Sequence, residues 1–171
     1  SGRFSMDDLM ALEQSSNVYM FKIAMTMVGL RYYPYIGIGS LLRDDTLQRL
    51  RNGYAQVGLG VRTGIDLPGE TPGVIGVPDS PGKVLDITIG QYDTYTPLQL
   101  VQYVSTIANG GYRVQPRLLK EIRKPSKDGE TLGPLVEDIK PKILNRLDNT
   151  QDEIDRVREG FRRVYYGARG T

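Results

Sequence analysis

The sequence contains no cysteine and no histidine, and these two absences remove much of the usual catalytic chemistry. No disulfide framework, thiolate nucleophile, Cys or His zinc site, Ser-His-Asp triad or histidine acid-base pair can be assembled. Any chemistry must use hydroxyls, amides, carboxylates or amines. With no thiol to oxidise, the redox state of the compartment is left open. An excess of one charge is missing as well: 22 basic and 20 acidic residues leave a formal +2. That balance argues against a polyanion partner, so no nucleic acid is expected. A mildly acidic stretch, 64–111, between two mildly basic ends is an ordinary folded surface. Long apolar runs are absent too; the best candidate, 18–30, is short and carries Lys22, so nothing here is expected to span a bilayer. Ser1-Gly2-Arg3-Phe4 has neither the basic nor the apolar region of a signal peptide, and no initiator methionine opens the chain. We therefore expect an excised piece of a longer protein.

What is present is enough for one globular domain. A chain of 171 residues buries about two thirds of the surface its unfolded form exposes. Ser5 with Asp8 three residues later reads as a capping box, opening a short helix to about Gln14. Val18, Phe21, Ala24, Met25 and Val28 continue at helical spacing up to Gly29. The intervening Gln14-Ser15-Ser16-Asn17 is rich in residues that cap and turn, so the reading is helix, tight break, helix. Tyrosines, Pro34 and alternating glycines make 31–39 a loop, followed by a helix over 40–51 with Leu41, Leu42, Leu47 and Leu50 inward, stopped by Gly53. Glycines and prolines crowd 58–92, which predicts an extended excursion with little regular structure.

Thr96-Pro97-Leu98-Gln99 is a helix start with cap, first-turn proline and return hydrogen bond all in place. Leu100, Val101, Val104, Ile107 and Ala108 form its apolar stripe, so it is expected to be the most buried helix. It ends at Asn109-Gly110-Gly111. Strand-like runs at 112–123 and 136–143 flank the turn Lys127-Asp128-Gly129. Thr150 and Glu153 open a last amphipathic helix carrying Ile154, Val157, Phe161, Val164 and Tyr165, ending near Gly167. There is no internal repeat or low-complexity tract.

Ser15-Ser16-Asn17 alone says little, because Ser-any-Asn occurs roughly once in every two or three chains of this size and its simplest reading is a helix cap. Its company is more specific. Ala11-Leu12-Glu13-Gln14-Ser15-Ser16-Asn17 is followed by Gly58-Leu59-Gly60-Val61-Arg62-Thr63-Gly64-Ile65-Asp66-Leu67-Pro68-Gly69-Glu70. Then come Ile89-Gly90-Gln91, Thr96-Pro97-Leu98-Gln99-Leu100 and Ile107-Ala108-Asn109-Gly110-Gly111. In that order and spacing, over about 11–171, these blocks resemble the transpeptidase domain of class B penicillin-binding proteins. The family uses a Ser-x-x-Lys nucleophile, a Ser-x-Asn and a Lys-Thr-Gly, and only the second matches here.

The resemblance implies an α+β fold: the mainly helical portion of the penicillin-binding protein and serine β-lactamase-like transpeptidase fold, with a small β excursion at 112–143. Residues 1–171 would be a partial transpeptidase domain, without the nucleophile helix or the Lys-Thr-Gly strand. The parent would be a peptidoglycan D,D-transpeptidase anchored on the extracytoplasmic face of the bacterial cell membrane, acting with other cell-wall synthesis proteins. It would cross-link stem peptides through an acyl-serine and bind β-lactam antibiotics. Ser15 would relay a proton from the motif lysine to the leaving nitrogen, and Asn17 would hold that lysine and the substrate backbone. No cofactor or metal is implied. The chain alone is expected to be inactive, and self-association is expected if its apolar helix faces lack their usual cover. The alternatives on the same fold are a non-catalytic binding or scaffolding module, with Ser15 and Asn17 serving as caps, and a penicillin-sensor domain.

Two further motifs imitate the missing ones. Ser80-Pro81-Gly82-Lys83 has the letters of Ser-x-x-Lys, but Pro-Gly is expected to break the helix that would align hydroxyl and amine, and it follows Ser15 where the nucleophile should precede it. Arg62-Thr63-Gly64 imitates Lys-Thr-Gly but lies in the excursion and reads as a structural turn. Tyr92 and Tyr95 are expected to pack on the helix start more than to edge a cleft. Tyr32, Tyr33 and Tyr35 are read equally cautiously, and Asp44-Asp45 and Glu137-Asp138 as solvated surface.

Overall fold

Helix ends set the course of this chain. In the computed structural model, which describes residues 5–30, 38–42 and 44–171, six α-helices are named in chain order. They are α1 (Asp8–Glu13), α2 (Asn17–Met27), α3 (Asp44–Gln56), α4 (Pro81–Thr88), α5 (Pro97–Ala108) and α6 (Gln151–Tyr166), with a 3-10 turn at Ile38–Leu42. The strands are β1 (Tyr112–Val114), β2 (Glu121–Arg123), β3 (Leu135–Asp138) and β4 (Ile143–Arg146). They pair antiparallel as two separate ribbons, β1 with β4 and β2 with β3. The mix of helices and small sheets is the expected α+β class, but the two expected strand runs are each split, because residues between the ribbons leave the ladder.

Local signals explain most boundaries. Both capping boxes form: Thr96 accepts from Gln99 N while the Gln99 side chain returns to Thr96 N, and Thr150 and Glu153 do the same. At α1 the cap is Asp7, whose carboxylate accepts from Met10 N at 2.8 Å, in place of the expected Ser5. Gly53 lies inside α3; that helix ends at Gln56, where Gly58 adopts the left-handed conformation. The expected structureless excursion contains α4, because Pro81 sits in the first turn, where its missing N–H costs nothing. The expected 31–39 loop, with Tyr32, Tyr33 and Tyr35, lies outside the described residues up to 37.

Met25, Leu41, Leu50 and Val84 form a buried cluster joining α2, the 3-10 turn, α3 and α4, with Met27, Val28, Leu30 and Leu85 packed on it. Leu42, expected inward, is exposed. α1 lies on α6, where Gly160 leaves room for Leu12 and Arg156 bonds Asp8 at 2.7 Å. On α5 the buried residues include Gln99 and Gln102, whereas Leu100, Val101 and Val104 are 46%, 60% and 51% exposed. The expectation of a deeply buried apolar α5 is thus corrected: its polar face is the inner one. There Gln99 Nε2 donates to Val61 O at 2.7 Å and Pro72 O at 3.0 Å, and Gln102 Nε2 to Thr63 O at 3.2 Å and Val114 O at 2.9 Å.

Three of those four carbonyls, of Val61, Thr63 and Pro72, belong to the glycine-rich excursion, which has little ladder of its own. Glu70 closes its first turn by accepting from Thr63 N (2.6 Å), Thr63 Oγ1 (2.5 Å) and Gly64 N (3.0 Å), so Arg62-Thr63-Gly64 is the structural turn expected of it. Buried Asp93 anchors the far end, accepting from Arg51 Nη2 and from Gly76 N, both at 2.9 Å.

Candidate functional site

Five helices, α1 to α5, end in the same way. The residue after the C-cap turns left-handed, and the next residue's N–H reaches back to the carbonyl five residues earlier. In four of them the left-handed residue is Gly29, Gly58, Gly90 or Gly110, with φ between 75° and 96°. In α1 it is Ser15, at φ 50°, with Ser15 N donating to Leu12 O at 3.2 Å and Ser16 N to Ala11 O at 2.9 Å. A Cβ in this region costs about 1–2 kcal/mol, so a position that elsewhere takes glycine here carries a strained hydroxyl. Strain of this kind persists where the surrounding structure holds the residue in place.

Ser16 caps α2, its hydroxyl accepting from Tyr19 N at 3.4 Å. Neither Ser15 nor Asn17 is therefore the cap. Asn17 opens α2, and its side-chain amide has no partner among the described residues. Ser15 and Asn17 both stand on the wall of a cavity of about 520 Å³. Apolar groups dominate the lining, among them Met20, Leu59, Ile87 and Phe161, with Tyr54, Tyr95 and Tyr103 between them. Tyr103 packs edge-on against Phe161, ring centroids 6.2 Å apart.

The cavity's tyrosines stay protonated. Burial, then Tyr95, Asp93 and Tyr103, push Tyr54 up to about 12; burial also raises Tyr103, and burial with Asp93 raises Tyr95. Tyr54 donates to Ile87 O at 3.1 Å. Of the pair expected to pack, Tyr95 edges the cavity, while Tyr92 packs on Gly76 and donates to Val77 O at 2.8 Å.

The structure brings one unexpected residue to the site. Thr171 Oγ1 lies 2.9 Å from Ser15 Oγ, across 156 residues of sequence. No sequence pattern marks it, since only the return of the chain past α1 creates the contact. The imitation motif Ser80–Lys83 is elsewhere: Ser80 precedes α4, and Lys83 Nζ donates to Asp79 at 2.8 Å. That bond raises the Lys83 pKa and engages the amine with Asp79 instead of with the Ser80 hydroxyl. The helix it was expected to break does form, with the Lys83 amine paired to Asp79. Among the described residues no cluster of three His, Cys, Asp or Glu side chains could hold a metal, and no helix is long and apolar enough to cross a membrane.

Comparison with known proteins agrees with the motif blocks. Residues 2–171 match the family model for the penicillin binding protein transpeptidase domain. Penicillin-binding protein H of Bacillus subtilis (strain 168) is 50% identical over 162 residues, 94% of this chain and 22% of that protein. Penicillin-binding protein 2B of Streptococcus pneumoniae is 36% identical over 169 residues, 99% of this chain and 25% of that protein. The solved structure of penicillin-binding protein 2B from Streptococcus pneumoniae (strain R6) superposes with a TM-score of 0.88 at 36% identity, covering 98% of this chain and 27% of that one. The chain thus spans about a quarter of the length of these relatives. On the match along 2–171 and the shared fold, the chain belongs to the penicillin-binding protein transpeptidase domain family.

Proposed function

We propose that this chain is the Ser-x-Asn side of a peptidoglycan D,D-transpeptidase active site, part of a longer protein whose Ser-x-x-Lys helix and Lys-Thr-Gly strand lie outside it. The observation that carries the reading is Ser15: a left-handed serine where α2 to α5 place glycine, on the wall of an apolar cavity. The small share of each relative that the chain covers supports the partial-domain reading. The cavity under Ser15 and Asn17 is a suitable seat for an amphipathic helix, and the exposed α5 stripe Leu100, Val101 and Val104 for a sheet.

In that assembly the nucleophilic serine gives its proton to the motif lysine and attacks the penultimate D-alanine carbonyl of a stem peptide, or a β-lactam carbonyl. The carbonyl carbon gains the serine oxygen and loses the amide nitrogen, leaving an acyl-serine. The departing nitrogen takes the Ser15 proton as Ser15 takes one from the lysine, so the proton count closes. Asn17's amide, without a partner among the described residues, donates to the substrate carbonyl and accepts from the lysine. The parent works on the extracytoplasmic face of the bacterial cell membrane, anchored by a segment outside this chain, beside other cell-wall synthesis proteins. A binding or scaffolding module that used Ser15 and Asn17 as caps is less well supported, because Ser16 takes the cap.

The test is labelling with a fluorescent penicillin. The 171-residue chain should form no covalent adduct, and the protein expressed from the complete reading frame should form one on a serine upstream of Ser15. An adduct on the bare chain, at Ser80 or Ser15, would overturn the reading.

A further inference from the structure

We propose that Thr171 is a positioning residue for the Ser15 hydroxyl, an inference that rests on the relay role given to Ser15 above. The two oxygens are 2.9 Å apart, and the approach is built from both sides. Beyond α6 the chain turns back over the helix end: Gly167 N donates to Arg163 O at 2.8 Å and Gly170 N to Gly167 O at 3.2 Å. A Cβ on Gly167 would strike Glu13 and Arg163, and one on Gly170 would strike Val164, so the close path requires glycine at both. Glu13 then accepts from Arg169 N at 3.0 Å. Glu13 is two residues before Ser15, so the end of α1 holds both the relay serine and the tail that presents Thr171.

The physical need is rotational. A serine hydroxyl has one hydrogen and two lone pairs on a free rotor, whereas a relay requires the hydrogen toward the leaving nitrogen and a lone pair toward the incoming proton. The strained backbone of Ser15 fixes its Cβ direction but leaves the hydrogen undirected. When Thr171 donates to Ser15 Oγ, it occupies one lone pair and turns the Ser15 hydrogen away from itself, into the cavity. The second lone pair stays open for the lysine. Threonine suits the task because its β-branch restricts χ1, so its hydroxyl arrives with little freedom left to lose. Thr171 itself moves no proton.

The experiment uses the complete protein and measures acylation by a labelled penicillin, resolved into binding and the chemical step, with thermal unfolding alongside. Thr171→Val, which keeps the shape and removes the hydroxyl, should slow the chemical step about tenfold, the worth of one directed hydrogen bond, with binding and Tm unchanged. Thr171→Ser should restore the rate to within about threefold of the wild type. In a Ser15→Ala background, Thr171→Val should have no further effect, since the pair acts as a unit. A wild-type chemical step in Thr171→Val, a loss confined to binding or Tm, or an equal loss in the Ser15→Ala background would overturn the inference. If Ser15→Ala itself acylates normally, the relay reading has failed; if it is slow while Thr171→Val is normal, only the role of Thr171 has.

Discussion

Replacing Ser15 by glycine should make the chain more stable while removing the hydroxyl proposed as the relay. Ser15 occupies the left-handed position that ends α1 at φ 50°, where any Cβ costs about 1–2 kcal/mol. Glycine escapes that cost but enters folding from a more flexible unfolded chain, which returns about 0.4–1 kcal/mol. The mid-values leave glycine favoured by about 0.8 kcal/mol. Because Ser15→Gly also loses the hydrogen bond to Thr171, the clean reference is Ser15→Ala, which lacks the same hydroxyl but keeps the Cβ and its strain. For a chain of this size about 1 kcal/mol moves the midpoint by about 2–4 °C, so Ser15→Gly should unfold about 1–4 °C above Ser15→Ala. Thermal unfolding followed by far-UV circular dichroism reads the difference. A glycine variant no more stable than the alanine variant would refute the claim that strain is stored at this residue. In the complete protein both variants should acylate slowly, an exchange of stability for activity at a working position.

Other expected outcomes concern the parts that hold the site. Gly160→Ala should push α1 away from α6 by crowding Leu12, costing about 1–3 kcal/mol in urea unfolding; an unchanged midpoint would contradict the tight seat. Asp93→Ala leaves Gly76 N without its acceptor and Arg51 with only Gly76 O, and should cost about 1–3 kcal/mol against a smaller loss for Asp93→Asn. Burial raises Glu70, but the bonds from Thr63 and Gly64 outweigh it and its pKa falls in the fold. Its contribution is therefore full above the ordinary glutamate value of about 4.3 and lost as pH falls through the folded value. The advantage of wild type over Glu70→Gln in urea should shrink between pH 7 and pH 3, and a constant advantage would count against the clamp. Finally, the exposed Leu100, Val101 and Val104 stripe should drive the isolated chain to self-associate, with Val101→Glu returning it toward monomer; light scattering showing only monomer at high concentration would contradict this.

What sequence reasoning found was local. Thr96 with Gln99 and Thr150 with Glu153 announce their helices because cap and partner are three residues apart. The misreadings came where one residue has two permitted uses. Gly53 is tolerated inside α3, and Pro81 starts a helix as readily as it breaks one. Gln99 and Gln102 look like surface residues, yet they are buried because a loop poor in backbone pairing needs donors. The family and the α+β class were legible in ordered blocks, and the match along 2–171 bears them out. At the site, the triplet was visible, but the division of labour within it was not. That Ser16 caps and Ser15 is left-handed depends on how α1 and α2 meet. Thr171 was out of reach altogether, since its partner is 156 residues away.

The most direct test of the account is the penicillin acylation rate of Ser15→Ala in the complete protein. A proton relay is worth about 10²–10⁴ in rate, so the account predicts a fall of at least about a hundredfold with the fold and penicillin binding intact. An acylation rate equal to wild type would contradict it and leave Ser15 as a strained turn residue with no part in the chemistry.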